Sequence, residues 1–342
     1  MATQRLSRVM TLAIQKFDRS LPLLNRTVPM ENIMANHVPA GVPGVMGVLK
    51  GYFDAAEIPL ARLAFVTDQA DPVKGVPVFP DRLFVQQYVY VRADSDIYSL
   101  ADLRGKKVHV PGYFITASLW HRAALQEAGV EPKEVEWTTS IPELDDRQSF
   151  PDGVKITYVP SPYLGMERLL DGTADCLMSE ATPPVPPNQR DKVRRLYTNA
   201  QELQKDYYKR TGFNPIVHVI VATNEALKAW PDFGVELCRV YDEAKAQAYQ
   251  WLQNERTNTI PLMRGYLDET MDMFGDDPWP YGLGPNRAEI DQFLQYAQEQ
   301  GLTRRRLVPE ELFDERSLSY QFTAKMEPGS EPGGGVWPGA VV

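Results

Sequence analysis

Apolar positions fall in short runs of strand length, separated by glycine- and proline-rich breaks, with helical stripes between them. Residues 8–14, 88–91, 108–113, 135–137, 156–159, 174–178 and 216–221 predict strands, with 88–91 and 216–221 the densest in β-branched and aromatic side chains. Residues 76–80 are held extended by Pro77 and Pro80. Helical spacing appears at 99–107, closed by Gly105, and at 116–128, ended by Gly129. It returns at 165–171 before Gly172, then at 231–251 and 290–300. Residues 47–57 predict a helix, a glycine stop and a short strand running to Glu57, with an apolar helix after it. Residues 181–187 hold four prolines and predict an irregular loop, and the glycine-rich stretch from 329 predicts a flexible tail.

Strand, glycine turn, helix, strand over 108–137 is a βαβ unit, which implies a parallel sheet. Strand-rich segments lie on both sides of it. The predicted fold is therefore α/β with two lobes: 1–92 plus 218–328 as a discontinuous first lobe, 93–217 as the second, and 329–342 as tail. The chain would cross between lobes near 90–94 and 216–218. Ligands in such folds sit in the cleft, at the carboxyl ends of strands and the starts of helices.

Composition narrows the partners. Over 342 residues, 36 Lys and Arg against 45 Asp and Glu leave a net charge of −9. That disfavours nucleic acid and anionic membrane surfaces but leaves small anionic ligands open. Two cysteines, Cys176 and Cys238, are too few for a disulfide framework. The N-terminal stretch lacks a secretory apolar core, and no run approaches the length of a membrane span, so a cytoplasmic location is expected. Oligomeric state is left open, a homo-oligomer included.

Nucleotide-loop, zinc-protease, CxxC and nucleophile-elbow motifs are absent. What remains is a set of polar residues at predicted strand ends and helix starts. Glu57 and Glu180, the latter beside Ser179, each follow a strand. Residues 111–118 bring Tyr113, Thr116 and Ser118 to a helix start whose amides can bind an anion. Residues 210–218 bring Arg210, Asn214 and His218 to the second lobe crossing. His37, His109 and His121 have weaker placements. No ligand spacing supports a metal site from Glu57, Glu180 and His218.

Several stretches then resemble the 4,5-dihydroxyphthalate decarboxylase family, which has a type II periplasmic-binding-protein fold. They are Phe53-Asp54-Ala55-Ala56-Glu57, Pro77-Val78-Phe79-Pro80-Asp81-Arg82, Tyr90-Val91-Arg92-Ala93-Asp94-Ser95, Asp102-Leu103-Arg104-Gly105-Lys106-Lys107-Val108 and Thr116-Ala117-Ser118-Leu119-Trp120. Residues 207–218, Trp279-Pro280-Tyr281-Gly282 with Asn286, and Glu299-Gln300-Gly301-Leu302 continue the series in family order. There are departures. Val85-Gln86-Gln87 stands where Arg-His-Ser is usual, Gly112, Phe114 and Ile115 replace the Glu, Gln and Met of a Pro-Glu-Tyr-Gln-Met-Thr run, and Asn214 replaces an aromatic.

The resemblance implies a two-lobed binding-protein scaffold used as a cofactor-free carboxy-lyase on a hydroxylated aromatic carboxylic acid. On that reading His218 and Glu57 form the acid/base pair, and Arg82 or Arg210 clamps a carboxylate. Tyr113, Thr116, Ser118, Ser179, Glu180 and Asn214 complete the contacts. The alternative is a cytoplasmic solute-binding protein or sensor for a small aromatic or carboxylate ligand, which keeps the cleft and does no chemistry.

Overall fold

The computed structural model describes residues 9–31, 33–39, 42–142, 145–160, 165–254, 256 and 258–326; the expected tail lies outside them. The chain opens with β1 (Met10–Ile14), α1 (Leu21–Leu24), β2 (Ala35–Pro39) and α2 (Val42–Leu49). It continues through β3 (Ala55–Pro59), α3 (Leu60–Asp68) and β4 (Val73–Arg82). The middle of the chain holds β5 (Val89–Arg92), β6 (Lys107–Val110), α4 (Thr116–Glu127), β7 (Glu136–Thr139) and β8 (Lys155–Tyr158). After these come α5 (Met166–Leu170), β9 (Cys176–Met178), β10 (Val193–Arg195) and α6 (Ala200–Thr211). The last strand, β11 (Ile216–Thr223), precedes α7 (Asn224–Ala229), α8 (Phe233–Gln253), α9 (Met263–Phe274) and α10 (Leu283–Glu299).

Two mixed sheets result. The first has the order β2-β1-β3-β11-β4 and the second β10-β5-β9-β6-β7-β8. In the first, β1 runs parallel to β2 and β3, while β11 enters antiparallel between β3 and β4. In the second, β6 is parallel to β7 and β9, and β5 is antiparallel to β9 and β10. Residues 83–88 lead from the first sheet to the second, and 196–215 lead back. This is the two-lobed α/β arrangement expected from the βαβ unit and its strand-rich flanks.

Sequence explains most elements locally. β11 is the most β-branched run of the chain, and every residue but His218 is buried. β4 carries Pro77 and Pro80, which the ladder tolerates because β4 is an edge strand paired in the sheet with β11 on one side. Glu57 lies mid-strand in β3 rather than at its end, since the pairing with β11 extends to Pro59. β2, α6 and α9 are not marked by the pattern: β2 is a short, half-exposed edge, α6 is mostly polar, and each of these two helices buries a single residue.

Candidate functional site

The carboxyl ends of the parallel strands of both sheets face one cleft of about 370 Å³. From the first lobe, Gln15 follows β1, Pro59 ends β3, and Ala61 and Arg62 open α3. From the second, Gly112 follows β6, Ile141 follows β7, and Glu180 follows β9. Both free cysteines are buried away from it, so neither thiol is presented to a ligand.

Three neighbouring strands place a cluster of titratable groups on the first lobe's wall. His218 on β11 is paired with Pro59 of β3 on one side and Asp81 of β4 on the other. The β11–β4 register shifts on both sides of His218, a local irregularity that re-aims the strand. His218 Nδ1 lies 2.6 Å from Glu57 Oε1 and 3.8 Å from Asp81 Oδ2. Glu57 is buried and fully engaged: its carboxylate also accepts the Gln15 backbone N–H at 3.3 Å and the Gln15 side-chain amide at 3.1 Å. With Nδ1 donating to Glu57, Nε2 is left without a hydrogen-bond partner among the described residues.

Electrostatics follow from three carboxylates around one imidazole. Burial pulls the His218 pKa down, but the Glu57 hydrogen bond and the charges of Glu57, Asp81 and Glu180 outweigh it, and the net shift is upward. Asp81 is pushed up, chiefly by burial and also by Glu57, against the pull of His218 and Arg19. Glu180 is open to solvent on one side, yet enough protein surrounds it that desolvation, helped by Asp81, raises its pKa as well. The cleft thus holds a readily protonated imidazole beside two carboxyl groups that take up protons more easily than usual. Among the described residues no three His, Cys, Asp or Glu side chains are placed to hold a metal ion.

The second lobe contributes the start of α4. Its N-cap, Ile115, provides no capping side chain, and Gly112, Phe114, Ile115 and Thr116 line the cleft. Thr116 Oγ1 accepts the Ala61 backbone N–H at 3.1 Å, so the first turns of α3 and α4 meet across the cleft.

Of the expected site residues, His218, Glu180 and Thr116 line the cleft, and Glu57 stands directly behind His218. Six others do not line it. Arg82 is buried behind the wall, where it donates to Asn286 Oδ1 and Asn214 O at 2.5 Å each and to Pro280 O at 2.7 Å. Both amino nitrogens are thus taken by protein oxygens, while the buried Nε has no partner, and the group is a structural pin behind the wall, not a ligand clamp. Arg210 is largely exposed on α6 and pairs with Glu127 at 3.0 Å, in a separate groove. Tyr113 is fully buried in the second lobe, packed edge-on against Phe114, Trp137 and Phe150 with the Arg122 guanidinium 3.7 Å from its ring centre. Ser118 is buried one turn into α4, since the helix begins at Thr116 and turns that face inward. Ser179 is buried, and its carbonyl accepts from His121 Nε2 at 2.9 Å. Asn214 is spent on Arg82 and on Pro278 O. His109 and His121 are buried ties within the second lobe, with burial lowering each pKa to about 4 and keeping them neutral.

Sequence reasoning missed Gln15, Arg62 and Gln148, and it passed over Asp81, which all line the cleft. Asp81 was within sight as the middle of Pro80-Asp81-Arg82; the neighbouring arginine drew the attention that the acid deserved. Arg62 sits in an apolar helix where an arginine reads as a solvent-facing residue.

No family model matches the chain. The 4,5-dihydroxyphthalate decarboxylase of Comamonas testosteroni is 28% identical over 320 residues, covering 90% of this chain and 97% of its own. The chain is thus similar over most of its length to a protein named 4,5-dihydroxyphthalate decarboxylase. A protein of the same name from Pseudomonas putida is 30% identical over 169 residues, 47% of this chain and 66% of that protein. Among solved structures, the periplasmic aliphatic sulphonate binding protein SsuA of Escherichia coli superposes with a TM-score of 0.55 at 17% identity, covering 93% of each chain. The alkanesulfonate-binding protein SsuA of Xanthomonas axonopodis pv. citri gives 0.56 at 15% identity, over 90% of this chain and 99% of that one. These similarities establish the periplasmic-binding-protein-like fold. The decarboxylase-like stretches 77–82 and 279–286 converge in space around Arg82, whose partners include Pro280 and Asn286. Much of the resemblance to 4,5-dihydroxyphthalate decarboxylase is therefore carried by the scaffold that backs the cleft wall.

Proposed function

We propose that the chain is a carboxy-lyase that decarboxylates a hydroxylated aromatic acid of the dihydroxyphthalate type, without a cofactor. The observation that carries this reading is the buried Glu57 hydrogen-bonded to His218 Nδ1 at 2.6 Å at the wall of a cleft sized for one aromatic ring. A ligand-binding wall does not need a carboxylate–imidazole pair with two further carboxyl groups beside it; proton transfer does.

In the reaction, a hydroxyl para to the departing carboxylate loses its proton and its electrons enter the ring. The ring carbon bearing the carboxylate accepts a proton and becomes tetrahedral. The bond to the carboxylate then breaks, CO2 leaves, and its electron pair restores the aromatic ring as a phenolate, which takes its proton back from the carboxyl group that held it, while His218 is recharged by a proton from solvent. His218, kept charged by its carboxylate neighbours, delivers the proton to carbon from Nε2. Asp81 and Glu180, whose raised pKa values make them stronger bases than ordinary carboxylates, accept the phenolic proton. Glu57 touches no ligand in this scheme; it orients and charges His218. The apolar cleft residues Val45, Leu83, Phe114 and Val217 hold the ring.

The test is CO2 release from 4,5-dihydroxyphthalate by the purified protein. His218→Ala should lower turnover by about 10²–10⁴-fold, the usual contribution of one positioned acid or base. A wild-type protein that binds the compound and releases no CO2 would instead be a binding protein.

A further inference from the structure

Arg62 and His218 are the only cationic side chains among the described residues lining the cleft. Arg62 is 7% exposed on the first turn of α3, next to Ala61, whose N–H bonds Thr116 at the start of α4. Arg62 thus belongs to the helix turn that meets the start of α4, and each of these two helix starts carries partial positive charge. The opposite polarity gathers at Asp81, Glu180 and Glu57, so the cleft has an acidic region and a basic corner.

The hydrogen bonding of Arg62 is incomplete. Nη2 donates to Asp145 Oδ2 at 3.0 Å, while Nε and Nη1 have no hydrogen-bond partner although both are buried. A buried arginine with idle donors is costly and calls for a reason. The ion pair with Asp145 does not supply it. Asp145 is already held by Arg147, through Nε at 2.8 Å, Nη2 at 2.7 Å and the backbone N–H at 3.0 Å. Arg147 also grips Asp71 with two bonds, so this contact survives without Arg62. The Arg62 ring contact, 5.1 Å from the Phe65 centroid, steadies the guanidinium without using its donors.

We propose that Arg62 is the carboxylate-binding residue of the cleft, giving the N–H groups that Asp145 leaves unused, beside the first turn of α4, to a carboxylate of an aromatic ligand. The ligand's orientation follows: its carboxylates turn to the Arg62 corner and its hydroxyls to Asp81 and Glu180, with the carboxylate-bearing ring carbon left to His218. Two carboxylates placed against the acidic wall would be repelled, whereas hydroxyls can donate to it. Desolvation already lowers the Arg62 pKa against the pull of Asp145, and a second carboxylate would offset that penalty. The inference deepens the proposed decarboxylase reading and rests on it for the ligand class.

Calorimetric titration with phthalate, which has the carboxylates but no reacting hydroxyl, tests it on the full chain. Arg62→Gln should weaken phthalate binding about ten- to hundredfold, the size expected for a hydrogen bond to a charged group. Arg62→Lys keeps the charge and the Asp145 pair but loses the planar fork, and should fall between wild type and Arg62→Gln. The lysine variant also serves if the glutamine variant does not fold. Phthalate binding equal to wild type in either folded variant overturns the proposal, as does a wild-type protein that ignores phthalate. Failure of the decarboxylase reading looks different: phthalate binds through Arg62, yet dihydroxyphthalate gives no CO2.

Discussion

His218 carries two opposed influences that the geometry resolves. Partial burial favours the neutral ring, and the buried Glu57 carboxylate at 2.6 Å favours the charged one; the charges win. Because its pKa is raised, the imidazolium persists to higher pH than in an unpaired histidine. Activity that needs it should hold below that raised value and decline as pH climbs through it. Glu57→Gln keeps an acceptor beside Nδ1 and removes the charge. The basic limb of the pH–rate profile should then move to lower pH, with turnover reduced by about 10²-fold from lost charge and orientation. A profile unchanged in position would show that Glu57 is not what sets the His218 proton affinity.

At the scale of elements, the cleft depends on backbone features that leave weak marks in sequence. Gly165 enters α5 at φ +87, and a Cβ there would lie 2.0 Å from His109 Cδ2. His109 in turn bridges Thr138 Oγ1 at 2.8 Å and Ser140 Oγ at 2.6 Å, next to Ile141 of the cleft wall. Gly165→Ala should therefore cost roughly 3 kcal/mol or more, combining the left-handed backbone with the clash; chemical denaturation measures it. The strand that carries His218 was legible, because β11 is dense in β-branched residues. His218 and Glu57 were legible as polar residues embedded in such runs. Arg82 and Arg62 were not distinguishable, since an arginine whose amino groups are taken by protein oxygens behind the wall and one that lines the cleft have the same letter. What separates them is the approach of α10 behind β4, a tertiary fact that no local pattern encodes. Ser118 and Tyr113 turn away for a related reason: the helix start lines the cleft as a segment, but which of its side chains turn inward depends on where α4 begins.

At the scale of the molecule, Glu289 joins both passages between the sheets. On α10 it accepts the Ile216 N–H at 2.5 Å, where β11 begins, and faces Arg82 Nη1 at 3.5 Å, where β4 ends. Burial raises its pKa to about 7, against the opposing pull of Arg82. A carboxyl raised in the folded state binds protons the unfolded chain has released, so its contribution is full below about 4.5 and is lost as pH rises through 7. Glu289→Gln removes this dependence while keeping an acceptor for Ile216. Relative to the variant, wild-type stability should fall by roughly 2–3 kcal/mol between pH 4.5 and 8, seen in denaturant midpoints at the two pH values.

The insertion of β11 between β3 and β4 also bears on how the chain is made. Among the described residues β4 has no strand neighbour in its sheet except β11, and β11 is synthesised after every strand of the second sheet. The second sheet can close from one contiguous stretch of chain; the first cannot. On the ribosome, the wall that carries Glu57 and Asp81 must wait, its inner strand edge bare, until the residue that completes the cluster arrives with the strand that completes the sheet. Assembly of the chemistry and completion of the fold are thus the same late event, and a chain halted before residue 216 has neither.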